Sequence, residues 1–216
     1  MTPSARTSST WPAPPARSRR RARGRLARGS ARSCGRLIDQ IEAPAIVSSV
    51  HGDYLAANAL GRALYAPVFE SPEQPANSAR FTFLDPAARD FYPDWERLAS
   101  DLVAMLRSQA GRNPYDRNLQ DLIGELSTRS DEFRVRWAAH NVRFHRTGTK
   151  RLHHPIVGEL ELSYETLTLD ADDGLRVALY AAEPASASQH ALDLLASWTA
   201  TPEPTETRVR GETRER

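Results

Sequence analysis

Lysine is nearly missing from this 216-residue chain, which carries one, Lys150, against 28 arginines. With many alanines and prolines, that bias is the codon usage of a GC-rich genome and carries no chemistry by itself. Cysteine is also down to one residue, Cys34. A single thiol excludes an internal disulfide, a redox pair and a multi-cysteine zinc site, and it suits a reducing cytoplasm. No apolar run reaches the length of a membrane helix, and no apolar core follows "RSRRRARGR" as a signal peptide requires. Acid is lacking from the first 36 residues, which hold ten arginines. Residues 37–202 reverse the sign, with 15 basic and 23 acidic residues. The net charge of +2 therefore hides two opposite segments.

The readable catalytic motifs are missing as well. "GTK" at Gly148–Lys150 lacks the upstream glycine of a phosphate-binding loop, and the chain holds no GxGxxG, GxSxG or HExxH. His153 and His154 are adjacent, so on a strand they point to opposite faces and cannot chelate one metal. A metal site would need His140 or His145 to join one of them with a carboxylate. We expect no metal, no cofactor and no enzymatic activity.

What is present is a domain of ordinary size. Residues 1–36 and 201–216 are too polar to join a core, and we expect disordered tails, the first also having the composition of a nonspecific nucleic-acid arm. Residues 37–200 are long enough to bury one core. "RLIDQIE" reads as a short helix with Leu37, Ile38 and Ile41 on one side. "APAIVSSV" and "DYLAAN" read as paired strands about "HGD". Asn58 is placed to cap "ALGRALYAP", which Pro67 helps to end. After the loop "ESPEQPANSA", "FTFL" reads as a strand-like entry, with Asp85 and Pro86 starting the next helix.

A longer helix from Asp94 carries Trp95, Leu98, Leu102 and Met105 as one stripe, stopping near Gly111. Leu119, Leu122, Ile123 and Leu126 make a second stripe, and Ser130 caps a third helix bearing Phe133 and Trp137. These aromatics suit a core and a ligand pocket equally. The period then changes to two. In "GELELSYET", Leu160, Leu162 and Tyr164 face one way and Glu159, Glu161, Ser163 and Glu165 the other. The apolar phase flips at Leu167 and Leu169, which predicts a bulge or a sharp twist. "ADDG" is a turn, "LRVALYAAE" a central strand, and "SASQHALDLLASW" a Ser-capped helix with Leu192, Leu195 and Trp198. Helices inserted between the second and third strands of a mostly antiparallel sheet, with one more at the C-terminus, define an α+β fold.

Taken in order, "LDPAARDFYPDW", "KRLHHPIVGELELSYE" and "EPASASQHALDLLASW" resemble the MmyB-like transcription regulator ligand-binding domain, and the likeness runs from about Leu37 to Trp198. Arg80, Asp85, Trp95, Trp137, His140, Lys150, His154, Gly158, Tyr164 and Glu165 match its motif positions. The resemblance implies a PAS-like antiparallel sheet and a cytoplasmic sensor of fatty-acid-like molecules in a bacterial regulator. It also implies a helix-turn-helix of the Cro/C1 (XRE) type ahead of the sensor. Here only the arginine-rich segment precedes it, so we expect a truncated or frame-shifted start and specific DNA binding only if such a domain is supplied. A ligand between sheet and helices would meet Leu102, Trp137, Leu162 and Tyr164, with Arg80, His140 and His154 as candidates for an acid group. We expect a homodimer and no membrane partner. The rival readings are a dimerisation module without a ligand and, last, a small enzyme.

Overall fold

The computed structural model describes residues 33–139, 147–169 and 174–200. The expected disorder of residues 1–32 and 201–216, the first three residues of the "ADDG" turn at 171–174, His140 and His145 lie outside them. Residues 33–38 form a helical segment, α1, so residues 33–36 belong to the folded part and not to the tail. Only Ile38 of the expected apolar side is buried; Leu37 is 70% exposed. The cause is length. The helix gives way to tight i→i+3 bonds at Gln40 and Ile41, so the three residues never share a face.

Strands β1 (Ala45–Ser49) and β2 (Tyr54–Ala57) form the expected hairpin. Gly52 in its turn has φ 88°, and a Cβ there would lie 2.4 Å from Ser78 Oγ, so both backbone and space require glycine. Eight helices separate or follow the strands: α2 (Ala59–Leu64), α3 (Ala66–Glu70), α4 (Ser78–Leu84), α5 (Ala87–Phe91), α6 (Trp95–Arg112), α7 (Arg117–Arg129), α8 (Asp131–Ala138) and, after the sheet, α9 (Ala187–Ala200). Strands β3 (Thr147–His154), β4 (Gly158–Thr168) and β5 (Leu175–Ala181) complete a five-stranded antiparallel sheet in the order β2-β1-β5-β4-β3. The fold is α+β.

Three expectations change. "FTFL" is helical, because Asn77 caps α4 by accepting from the N–H groups of Ala79 and Arg80, and Phe81 and Thr82 then turn inward. Pro67 sits in the first turn of α3, so it starts a helix as much as it ends α2. Strand β4 has no bulge, since its pairing with β5 runs unbroken from Ser163 to Thr168. Thr166 stays on the inner face, and Leu169 turns outward to a small second-side core of Ile38, Ala45, Val47 and Val177. The register shift lies instead between Val47 and Ser48, where β1 meets β2.

The main core lies between the inner sheet face and the helices. Ile46, Leu152, Leu160, Leu162 and Tyr180 meet Tyr65, Phe81, Phe91, Tyr92 and Trp95 there. A further core joins α6 to α7 and α8 through Leu102, Leu106, Leu119, Leu126 and Phe133. Among the described residues no helix is long and apolar enough to cross a membrane.

Asn58 ties these parts together. Its Oδ1 accepts from Ala45 N at 3.0 Å and Gly61 N at 2.7 Å, while Nδ2 donates to the carbonyls of Ile38, Ile41 and Ala43. Asn58→Ala removes a cap and leaves several buried backbone groups without a partner, so it should cost at least about 3 kcal/mol. Urea unfolding checks this. Asn58→Asp should be no better, because a carboxylate would face three carbonyl oxygens.

Candidate ligand-binding cavity

Strand alternation brings one set of side chains to the inner sheet face. In β3 and β4, Lys150 lies opposite Leu162 and Gly148 opposite Tyr164. In β5, Tyr180 lies opposite Tyr164 and Ala178 opposite Thr166. Tyr54 of β2 and Ser48 of β1 continue the same face. Helix α6 crosses above it, and its stripe of Leu98, Leu102 and Met105 forms the roof. Between them is a cavity of about 150 Å³, with Lys150, Tyr164, Tyr180, Ser48 and Arg176 on its floor and Arg97, Asp101 and Leu102 on its roof.

The start of the roof helix is held by polar contacts on two sides. Trp95 Nε1 donates to Thr82 O at 2.9 Å and fixes α6 to α4. At the mouth, Arg151 Nε donates to Asp94 Oδ2 at 3.0 Å, and Arg97 Nη2 donates to Thr149 O at 3.2 Å. These contacts latch the start of α6 to β3. Hydrogen bonds from Arg151 hold the Asp94 carboxyl below its usual range.

Lys150 is the unusual group. Its Nζ lies 5.3 Å from the ring centre of Tyr164, 5.8 Å from Tyr65 and 5.9 Å from Tyr180. Among the described residues no carboxylate forms an ion pair with it. Burial, with help from the positive charge of Arg97, lowers its pKa to about 8, and Asp101 offsets part of that shift. The phenols respond in the opposite sense. Burial raises Tyr54, Tyr65 and Tyr92 well above the ordinary phenol range and pushes Tyr180 up to about 12. The cavity thus holds a cation of weakened charge among neutral hydroxyls. Thr82 Oγ1 adds a buried hydroxyl with no hydrogen-bond partner among the described residues.

The candidates read from sequence scatter. Leu102 and Tyr164 line the cavity. Leu162 stands beside Lys150 but is fully buried in the main core. Trp137 stacks on Phe133 at 5.5 Å, beneath the Arg107 guanidinium, in the α6–α8 core. Arg80 Nε donates to Glu125 at 2.9 Å and faces α7. His154 Nε2 lies 3.1 Å from Ala63 O, and its Nδ1 accepts from Ile156 N and Val157 N. That pattern fits a neutral ring that closes the β3–β4 turn, and burial lowers its pKa. His140 lies outside the described residues. The residues missed were Arg97, Asp101, Arg176, Tyr180 and, above all, Lys150. Its signal was available: it is the chain's one lysine and a motif position of the resemblance.

A sheet roofed by one helix over a partly polar cavity has the form of a small-molecule site. The chain matches the model of the MmyB-like transcription regulator ligand binding domain over residues 31–195, and it belongs to that family. It is thus a ligand-binding domain of a transcription regulator. No curated protein matches the chain.

The lysine has a stability signature. Its folded pKa of about 8 lies below the unfolded 10.5, so between those values the unfolded chain binds the extra proton. Stability should therefore rise from pH 8 to about pH 9. Closer to 10 the raised phenols reverse the trend, because they lose their protons first in the unfolded chain. Melting temperature followed by circular dichroism against pH should show the rise in the wild type and not in Lys150→Met, with both falling at higher pH.

Proposed function

We propose that the cavity binds a small amphipathic molecule with an anionic head, of which a fatty acid is the representative, and that the Lys150 ammonium receives the head. The observation that carries this reading is Lys150 itself. A half-buried cation that forms no carboxylate ion pair among the described residues is partly desolvated at a cost, and an anion brought by a ligand relieves it. The hydroxyls of the cavity wall supply donors around such a head. Leu98, Leu102 and Met105 supply the apolar surface for the first carbons of a tail.

The volume sets how sensing works. About 150 Å³ equals an engineered cavity that holds benzene and falls below the usual drug-sized pocket. A long acyl chain therefore fits only when α6 yields, with Met105 the most adaptable side chain of the roof. Helix α6 also carries the core shared with α7 and α8. A ligand that favours the displaced roof shifts the population of the whole helical layer, and so alters the regulator's state. The strand order and the helices between β2 and β3 support a PAS-like frame for this device. It acts by binding and not by turnover, in the cytoplasm, and specific DNA contacts require that a helix-turn-helix of the XRE type be supplied.

Thermal shift across a series of fatty acids tests this. Melting temperature should rise with ligand concentration by mass action. Lys150→Met should bind at least roughly tenfold more weakly, the cost of losing one charge-assisted hydrogen bond. Ala178→Leu, which fills the floor, should abolish the shift without unfolding the chain. A flat response across all chain lengths would remove the reading.

A second reading, the dimerisation module, draws on α9. Leu194 and Trp198 lie one turn apart and are each about half exposed, at 54% and 51%. Sedimentation at several concentrations should show a homodimer that Trp198→Ala weakens; a monomer at every concentration would end this reading.

A further inference from the structure

We propose that Lys150 is also a covalent capture site, whose side-chain amine forms a reversible imine with an aliphatic or aromatic aldehyde admitted to the cavity. This rests on the cavity between α6 and the sheet being the ligand site. It does not require the ligand to be an acid.

The argument begins with placement. Lys150 sits on the inner face of β3, and its nitrogen is ringed by Tyr65, Tyr164 and Tyr180 within 6 Å of each ring centre. Imine-forming lysines need an apolar or cationic setting that frees the amine from its proton. Both conditions are met: the rings desolvate the ammonium, and Arg97 opposes its charge from α6. Asp101 and Asp94 are the carboxylates on the same side of the cavity. With a pKa of about 8 against the ordinary 10.5, the neutral amine at pH 7.5 is on the order of a hundredfold more abundant than for an exposed lysine. An arginine in this position could not react, since its guanidinium stays protonated. The chain's one lysine is thus at a position where a primary amine differs most from the residue used everywhere else.

The step balances without any further reagent. The amine nitrogen attacks the aldehyde carbon, and the carbonyl oxygen takes a proton to give a carbinolamine. The C–O bond then breaks, the oxygen leaves as water with a second proton, and the C=N bond forms. The net change is one amine plus one aldehyde giving one imine plus one water. The phenols of Tyr164 and Tyr180, kept protonated by burial, are proton donors in the cavity wall. Hydrolysis by the reverse path makes capture reversible, as a sensor requires.

The composition makes the test clean, because the full chain has two primary amines, Lys150 and the N-terminus. The chain is incubated with octanal at pH 7.5, trapped with cyanoborohydride, and read by intact mass and peptide mapping. An adduct of octanal less one oxygen is expected at Lys150, formed at least about tenfold faster than in the urea-unfolded chain. Octanoic acid should suppress that adduct and leave any N-terminal adduct unchanged. Lys150→Arg, checked for folding by circular dichroism, should lose the adduct and keep any N-terminal one. Labelling of Lys150 no faster than in the unfolded chain overturns the imine and leaves the fatty-acid reading intact. A Lys150 adduct that octanoate neither suppresses nor accompanies with a thermal shift supports the imine and overturns the acid. If Lys150→Arg does not fold, the comparison of folded with unfolded wild type decides alone.

Discussion

The amide of Asn58 joins three segments that a cavity of this kind must hold still. Its oxygen binds the first N–H of β1 and the first turn of α2, and its nitrogen gathers three carbonyls from the chain entering the sheet. Helix α2 can then lie so close to β1 that a Cβ on Gly61 would meet Ala45 O at 2.4 Å. Asn77 plays the matching part at the other end of the hairpin. Its Nδ2 donates to His51 O and Asp53 Oδ1, while its Oδ1 caps α4. Two planar amides thus position β1 and β2 against the helices that lead to the roof. Each has its polar atoms satisfied inside the protein, which is why both can be buried at little cost.

Against that rigid frame, the cavity stands out as electrostatically unfinished. Several cations of the helical layer have carboxylate partners: Arg80 with Glu125, Arg89 with Glu132, Arg129 with Glu73. Lys150 has aromatic rings and hydroxyls. Cation–π contact offsets part of the lost hydration but leaves the proton loosely held. Buried phenols with raised pKa values and a buried amine with a lowered one are two responses to the same dry environment. A group that ionises reluctantly in either direction is suited to respond to what enters beside it.

The fold was largely legible from local patterns. Alternation in "GELELSYE" showed β4, the stripe from Trp95 to Met105 showed α6, and Asn58 and Ser130 marked their helix starts, because each of these signals acts within a few residues. The misreadings share a different cause. "FTFL" has the period of a strand, and only the Asn77 cap, satisfied partly by distant Asp53 and His51, decides for a helix. Leu169 breaks phase because a small core exists on the far side of the sheet, built by α1. The site was less legible still. His154 and Arg80 looked functional because polar residues in a distinctive motif invite that reading, yet their partners, Ala63 and Glu125, lie 91 and 45 residues away. Leu102 and Tyr164 were recognisable from face and period. Lys150 was visible as a count and a motif match, and its importance appeared only when the sheet placed it under α6.

The latch of Asp94, Arg97 and Arg151 has a further consequence. Unlike the cavity behind it, the latch stands at the protein surface, where counter-ions reach it. Exposed ion pairs weaken as salt shortens the Debye length, while the buried contacts of Trp95 and the aromatic core do not. The start of α6 is therefore held by ion pairs that respond to ionic strength together with the Trp95–Thr82 hydrogen bond, which does not. Raised ionic strength thus loosens the rim of the cavity before it reaches the packing of the helix behind it.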